Sequence, residues 1–215
     1  MKFLEKLFLH NKKTNQLIIG FTIYCFVLLL IRAKLTHTLY LFFLIWNLVL
    51  AFIPYVITTY LLNREVQLTH RYLLIFPLSI WLLFLPNSFY IITDLIHLTR
   101  SHNNCHWMDL IIISSYACIG FILGLLSLLD FEQLFLRYYS KHMLRLVIPI
   151  LCFLCGIGIY MGRILRFNSW DILNKPLTVC HSIYPHLLSA QALLFVCHFG
   201  AFIYFTYALH KKQLI

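Results

Sequence analysis

The sequence predicts an all-α fold, a polytopic membrane bundle of six transmembrane helices, and three observations carry that prediction. Of its 215 residues, 61% are hydrophobic and 11% charged, where soluble domains run near a quarter charged. The charges are spaced so that six long windows hold no Asp, Glu, Lys or Arg: Thr14–Ile31, Leu35–Asn63, Tyr72–Thr93, Leu110–Leu129, Leu146–Gly162 and Pro176–His210. Each is about long enough to cross a hydrocarbon core of roughly 30 Å as a helix. Little chain remains outside them, so residues 1–215 are expected to form a single membrane domain with no soluble cargo.

The expected spans are 17–31, 39–62, 72–92, 108–129, 146–162 and 187–209. The first is plain, with Thr22 and Tyr24 its main polar groups, and is expected to be scaffold. Lys12-Lys13 before it suggests a signal peptide, but Arg32-Ala33-Lys34-Leu35 after it offers no small-residue cleavage site, so a retained helix is expected. In the second span Asn47, Ala51, Pro54 and Thr58 fall on one helix face, which points to helix–helix contact. Pro54 lacks a backbone donor and should kink that span. In the third, Leu73–Leu85 is short for a full crossing, so the helix is expected to kink or break near Pro86. The fourth holds Gly120-x-x-x-Gly124 and the fifth Gly156-x-Gly158-x-x-x-Gly162, spacings that let backbones approach closely within one chain. Between them, Asp130 to Arg145 reads as an amphipathic turn on the membrane surface. His198 in the sixth is expected to be a hydrogen-bonded core histidine.

The formal net charge is +10, yet no basic patch with stacking aromatics lies in a soluble segment, which argues against nucleic acid. With six spans, Lys2, Lys6, Lys12, Lys13, Arg64, Arg71, Arg137, Lys141, Arg145, Lys211 and Lys212 share one side. Arg32, Lys34, Arg100, Arg163, Arg166 and Lys175 share the other. The positive-inside rule then predicts a cell-membrane protein with both termini cytoplasmic and loops 93–107 and 163–186 extracytoplasmic. Membrane lipid is the expected partner. Cys152-x-x-Cys155 lies inside the fifth span and reads as small buried hydrophobes. Cys105 and Cys180 fall in the outward loops, where a disulfide requires a geometry that sequence does not give.

Polar groups are costly in lipid and need an interior or a watery crevice. Asn87, Tyr90, Asp94 and His97 lie three, four and three apart, one polar stripe on an apolar helix. Asp94 can hold the tautomer of His97 for acid–base work, or simply satisfy it. The exit of the fifth span, Gly162-Arg163-Ile164-Leu165-Arg166-Phe167-Asn168-Ser169-Trp170-Asp171, supplies the second cluster. Arg163 and Arg166, one turn apart, suit a carboxylate or phosphate. Their partner is either a ligand or an internal carboxylate, Asp94 or Asp109, forming a latch between the third, fourth and fifth spans. His102-x-x-Cys105-His106 has zinc-like spacing, but no regular ligand ladder accompanies it, so no metal or cofactor is expected. No G-x-S-x-G nucleophile motif is present.

These motifs resemble a bacterial integral-membrane family called domain of unknown function 1361. The resemblance rests on Trp46-Asn47-Leu48-x-Leu50-Ala51-x-Ile53-Pro54 and on Phe84-Leu85-Pro86-Asn87-x-x-Tyr90-x-x-Thr93-Asp94-Leu95-Ile96-His97-Leu98. It continues through Trp107-x-Asp109 and Gly162-Arg163-x-x-Arg166-x-Asn168-Ser169-Trp170-Asp171. Ser88 and Phe89 stand where Ala and Pro are expected. The resemblance implies a multi-pass membrane protein and no particular activity.

Three functions follow. The first is binding of an anionic head group or small solute, in transport or as an accessory protein. Asn87, Tyr90, Arg163, Arg166, Asn168, Trp170 and Asp171 would form that site. The second is an intramembrane enzyme acting on a lipid or polyprenyl phosphate, with Asp94 and His97 catalytic. The third is a structural partner, with Asp94, Asp109, Arg163 and Arg166 as interhelical ion pairs.

Overall fold

A computed structural model describes residues 12–63, 74–100, 106–187 and 189–213. The helices are α1 (Lys12–Thr36), α2 (Phe43–Asn63), α3 (Ile75–Tyr90), α4 (His106–Leu136), α5 (Lys141–Arg163), α6 (Asp171–Asn174), α7 (Pro176–Leu187) and α8 (Ala190–Gln213). Tyr40–Phe42 forms a 3-10 turn ahead of α2, and Ile91–Arg100 a 3-10 segment after α3. No strand occurs among the described residues. Six helical stretches are long and apolar enough to cross a membrane: Lys12–Thr36, Tyr40–Asn63, Ile75–Leu98, His106–Leu136, Lys141–Arg163 and Ala190–Lys212.

Most spans run further than the charge-free windows. A helix does not stop where apolar residues stop, because Lys and Arg near its ends carry their heads to the interface on long stems. The largest extension is in α4, which continues to Leu136. Asp130 and Glu132 are therefore helical, not part of a surface turn. Thr59 donates to Asp130 at 2.7 Å, and Tyr207 and Lys211 donate to Glu132. The surface connection shrinks to a short turn, after which the Ser140 hydroxyl caps α5 by accepting from the Met143 amide.

The α-helix runs through Pro86 without breaking there. Regular α geometry gives way at Ile91 instead, at the β-branched run Ile91-Ile92-Thr93, whose side chains crowd the preceding turn. α2 likewise continues through Pro54.

α4 is the hub. It packs against α1, α2, α3, α8 and the 3-10 segment. One apolar core joins α1, α2 and α4 around Leu29, Leu44, Ile112 and Tyr116. A second joins α3, α4, α5 and α8 around Trp81, Leu85, Leu128, Cys152, Cys155 and Ile203. Cys152 and Cys155 are fully buried in it, as expected of small hydrophobes.

The small-residue spacings serve packing within the chain. A Cβ on Gly124 would lie 2.6 Å from the Phe89 ring, and one on Gly120 2.6 Å from Ile91. On the opposite side of α3, a Cβ on Gly158 would lie 2.5 Å from the Pro86 ring. α4 and α5 thus close on the Pro86–Ile91 stretch from two directions. The polar face read on α2 is also a helix contact: Thr58 meets Ser127 at 3.1 Å, and Ser88 donates to the Ala51 carbonyl at 3.0 Å. His198 bonds the Leu194 carbonyl but is exposed, so it is not a core residue.

Candidate functional site

The close approach of α5 to α3 sets the site. Gly162 faces the Tyr90 ring, so the next residue, Arg163, arrives over the polar stripe. Its guanidinium lies over the Tyr90 ring with Cζ 4.6 Å from the centroid, a cation–π geometry. Nη2 donates to Asp94 in a salt bridge. Nε donates to the Thr93 hydroxyl at 2.8 Å, and that hydroxyl donates to the Tyr90 carbonyl at 2.6 Å.

Asp94 is almost completely buried, and its other oxygen accepts from Asn47 of α2 at 2.7 Å. The His97 Nε2 stands 4.0 Å from the Asp94 carboxylate and 3.3 Å from Arg163 Nη1. A guanidinium only donates, so Nε2 accepts in that contact, while Nδ1 meets the Tyr40 hydroxyl at 3.2 Å. Asp94 is the internal partner of Arg163, and the 3-10 winding splits the stripe, with Asn87, Tyr90 and His97 beside a cavity and Asp94 buried behind them. Asn87, one turn nearer the middle of α3, donates to Ser169 at 2.8 Å and ties the stripe to the loop after α5.

Two expectations change. Asp109 does not pair with Arg163 or Arg166. It accepts two hydrogen bonds from Arg32 of α1, at 2.9 and 3.3 Å, in a sealed bidentate pair. The third arm of Arg32 donates to the Thr38 hydroxyl at 2.6 Å. Arg166 does not share a helix face with Arg163, because α5 ends at Arg163. Arg166 adopts left-handed backbone with φ of 60°, and the Phe167 amide bonds back to the Met161 carbonyl at 3.1 Å. This turn closes the end of α5. It leaves the Arg166 side chain exposed, with no ion-pair partner among the described residues.

Sequence reasoning missed Thr93, Tyr40 and Asn47 as members of the site. Asn47 carried a signal, as a polar residue on a packed face. Thr93 did not, since at α-helical spacing it lies off the stripe. The 3-10 turn, with i and i+3 eclipsed, brings it into line with Tyr90.

Beside this node lies a cavity of about 920 Å³ between α2, α3, α5 and the loop after α5. Asn87, Tyr90, His97, Arg163, Arg166, Asn168, Ser169 and Trp170 line its polar end. Leu50, Leu82, Leu83, Leu154 and Ile157 line the rest. Asp94 lies behind the wall, and Asp171 accepts from the Asn168 amide at 2.6 Å, holding the loop. No group of three or more His, Cys, Asp or Glu placed to hold a metal occurs among the described residues. The His102-x-x-Cys105-His106 spacing and the Cys105–Cys180 pairing lie outside the described residues through His102 and Cys105.

Fold and site together define a polytopic helical membrane protein whose third and fifth spans are joined by a buried ion pair beside a cavity. The model of the family described as "Protein of unknown function (DUF1361)" matches residues 46–206, and the chain belongs to that family. No curated protein and no solved structure matches the chain.

Proposed function

We propose that this protein binds an anionic head group or a small anionic solute in the cavity, at the outer face of a cell membrane, in transport or as an accessory protein. One observation carries the reading. Arg163 is neutralised by Asp94, whereas Arg166 lines the same cavity with no ion-pair partner among the described residues. The cavity wall therefore holds an uncompensated cation beside hydrogen-bonding groups from Asn87, Ser169 and Trp170, a combination suited to a phosphate or carboxylate. The charge imbalance between the two sides of the chain supports the outward placement.

The acid–base reading fares worse on the same geometry. Asp94 does not line the cavity and is occupied by Asn47 and Arg163, and both ring nitrogens of His97 have partners. Both residues are better understood as holding Arg163 in place.

Trp46 and Trp170 line the cavity, so binding has an intrinsic reporter. Titration of the purified protein with glycerol phosphate is expected to give a saturable change in tryptophan fluorescence. The Arg166→Gln variant is expected to weaken it by about tenfold, the worth of one charge-assisted hydrogen bond. An unsaturable response, or one unchanged in that variant, would overturn the reading.

A further inference from the structure

The cavity is longer than a head group needs. On α3 its wall runs from Ser79 to Tyr90, and on α5 from Leu154 to Arg163. Nine to eleven residue steps of helix span about 14–16 Å at ~1.5 Å each. Polarity is sorted along that length: the charged side chains and most hydrogen-bonding ones gather at one end, and leucine and isoleucine line the remainder beside Ser79, whose hydroxyl is spent on the Ile75 carbonyl.

The apolar part also has an open side. α2 and α5 flank α3, and the cavity is the groove between them. Leu154 on α5 and Ser79 on α3 belong to its wall there and are exposed, Leu154 by 40%. These helices are long and apolar enough to cross a membrane, so the open side faces the place where hydrocarbon chains lie. A soluble solute gains nothing from such a groove, whereas a chain entering it from the bilayer exchanges one apolar contact for another and keeps its polar end at Arg166.

We propose that the occupant is an amphiphile drawn from the bilayer. Its single anionic group, a phosphate or carboxylate, sits against Arg166, and its hydrocarbon chain lies along Leu83, Leu154 and Ile157. This rests on the binding reading above and names its ligand class. The division of labour between the arginines follows: Arg163 shapes the wall and Arg166 recognises the charge.

Two substitutions separate the two ends of the ligand. Arg166→Gly removes the charge while keeping left-handed backbone that glycine adopts freely, so loss of binding does not reflect unfolding. Leu154→Trp fills the groove from an exposed position. Native mass spectrometry of protein from mixed phosphatidylglycerol–phosphatidylcholine nanodiscs reads lipid retention, and glycerol phosphate titration reads the head group alone. The wild type is expected to retain phosphatidylglycerol about tenfold over phosphatidylcholine. Arg166→Gly is expected to erase that preference. Leu154→Trp is expected to cut retention of both lipids and leave glycerol phosphate binding unchanged.

Equal retention of the two lipids by the wild type would overturn the amphiphile proposal. So would lipid retention indifferent to Leu154→Trp alongside glycerol phosphate binding that depends on Arg166; the head-group reading would then stand alone. Absence of any Arg166-dependent binding, of lipid or of glycerol phosphate, would overturn both.

Discussion

Arg32–Asp109 and Arg163–Asp94 use the same chemistry to join helices, and they differ in what surrounds them. The first pair is sealed, with side-chain exposures of 2% and 1%, and its spare arm is spent on Thr38. The second leaves Arg163 14% exposed on a cavity wall, held from four directions by Asp94, Thr93, His97 and Tyr90. A sealed pair can only hold the fold together. A pair at the edge of a cavity also fixes the shape and charge of what the cavity presents. The contrast teaches that an arginine in a membrane bundle is informative through its neighbours' access to space, not through its charge alone.

The largest expected effect tests the sealed pair. Asp109→Asn strands a buried guanidinium, and removing one partner of such a pair costs about 3–5 kcal/mol. Thermal unfolding in detergent should show it, and the double variant Arg32→Met, Asp109→Leu should recover most of the loss, because well-packed apolar replacements of buried pairs are often neutral. A single variant as stable as the wild type would erase the distinction drawn between the two pairs.

Asp94→Asn comes next. Arg163 keeps Thr93, His97 and the Tyr90 face, and it borders open space, so a loss nearer about 2 kcal/mol is expected. Its distinguishing outcome is at the cavity: with Arg163 no longer neutralised, glycerol phosphate should bind more tightly than in the wild type. Weaker binding would show that Asp94 is needed for more than the arginine's neutrality.

The smallest effect has the opposite sign. Left-handed backbone at a non-glycine residue costs roughly 1 kcal/mol, so Arg166→Gly should stabilise the protein by about that amount in the same melt. A destabilised variant would reveal a structural role for the Arg166 side chain and sharpen the assignment of roles among the three arginines.

How much of this was legible in the sequence differs between fold and site. The six spans follow from gaps between charges, a signal that every lipid-facing residue reinforces. Their ends do not, because helices continue into the interface where hydropathy no longer constrains them, as α4 does through Glu132. The grouping of Asn87, Tyr90, Asp94 and His97 was legible only in part, because spacing sets facing only while the helix keeps its pitch, and the 3-10 winding from Ile91 shifts Thr93 into line and Asp94 behind the wall. The partner of Asp109 was not, since pairing between helices depends on bundle order, which no local spacing encodes. Arg32 therefore registered only as a topological charge. Arg166 was misread because an i, i+3 relation holds only while a helix lasts, and α5 stops at Arg163.

The 3-10 segment has one more consequence. Each of its residues advances about 2.0 Å instead of the ~1.5 Å of an α-helix. From Ile91 to Leu98 the third span gains about 4 Å of length without an added residue. That extra reach carries Asp94 and His97 further from the middle of the span than an α-helix of the same residues would. The length of the third span is thus set partly by pitch and not by residue count alone.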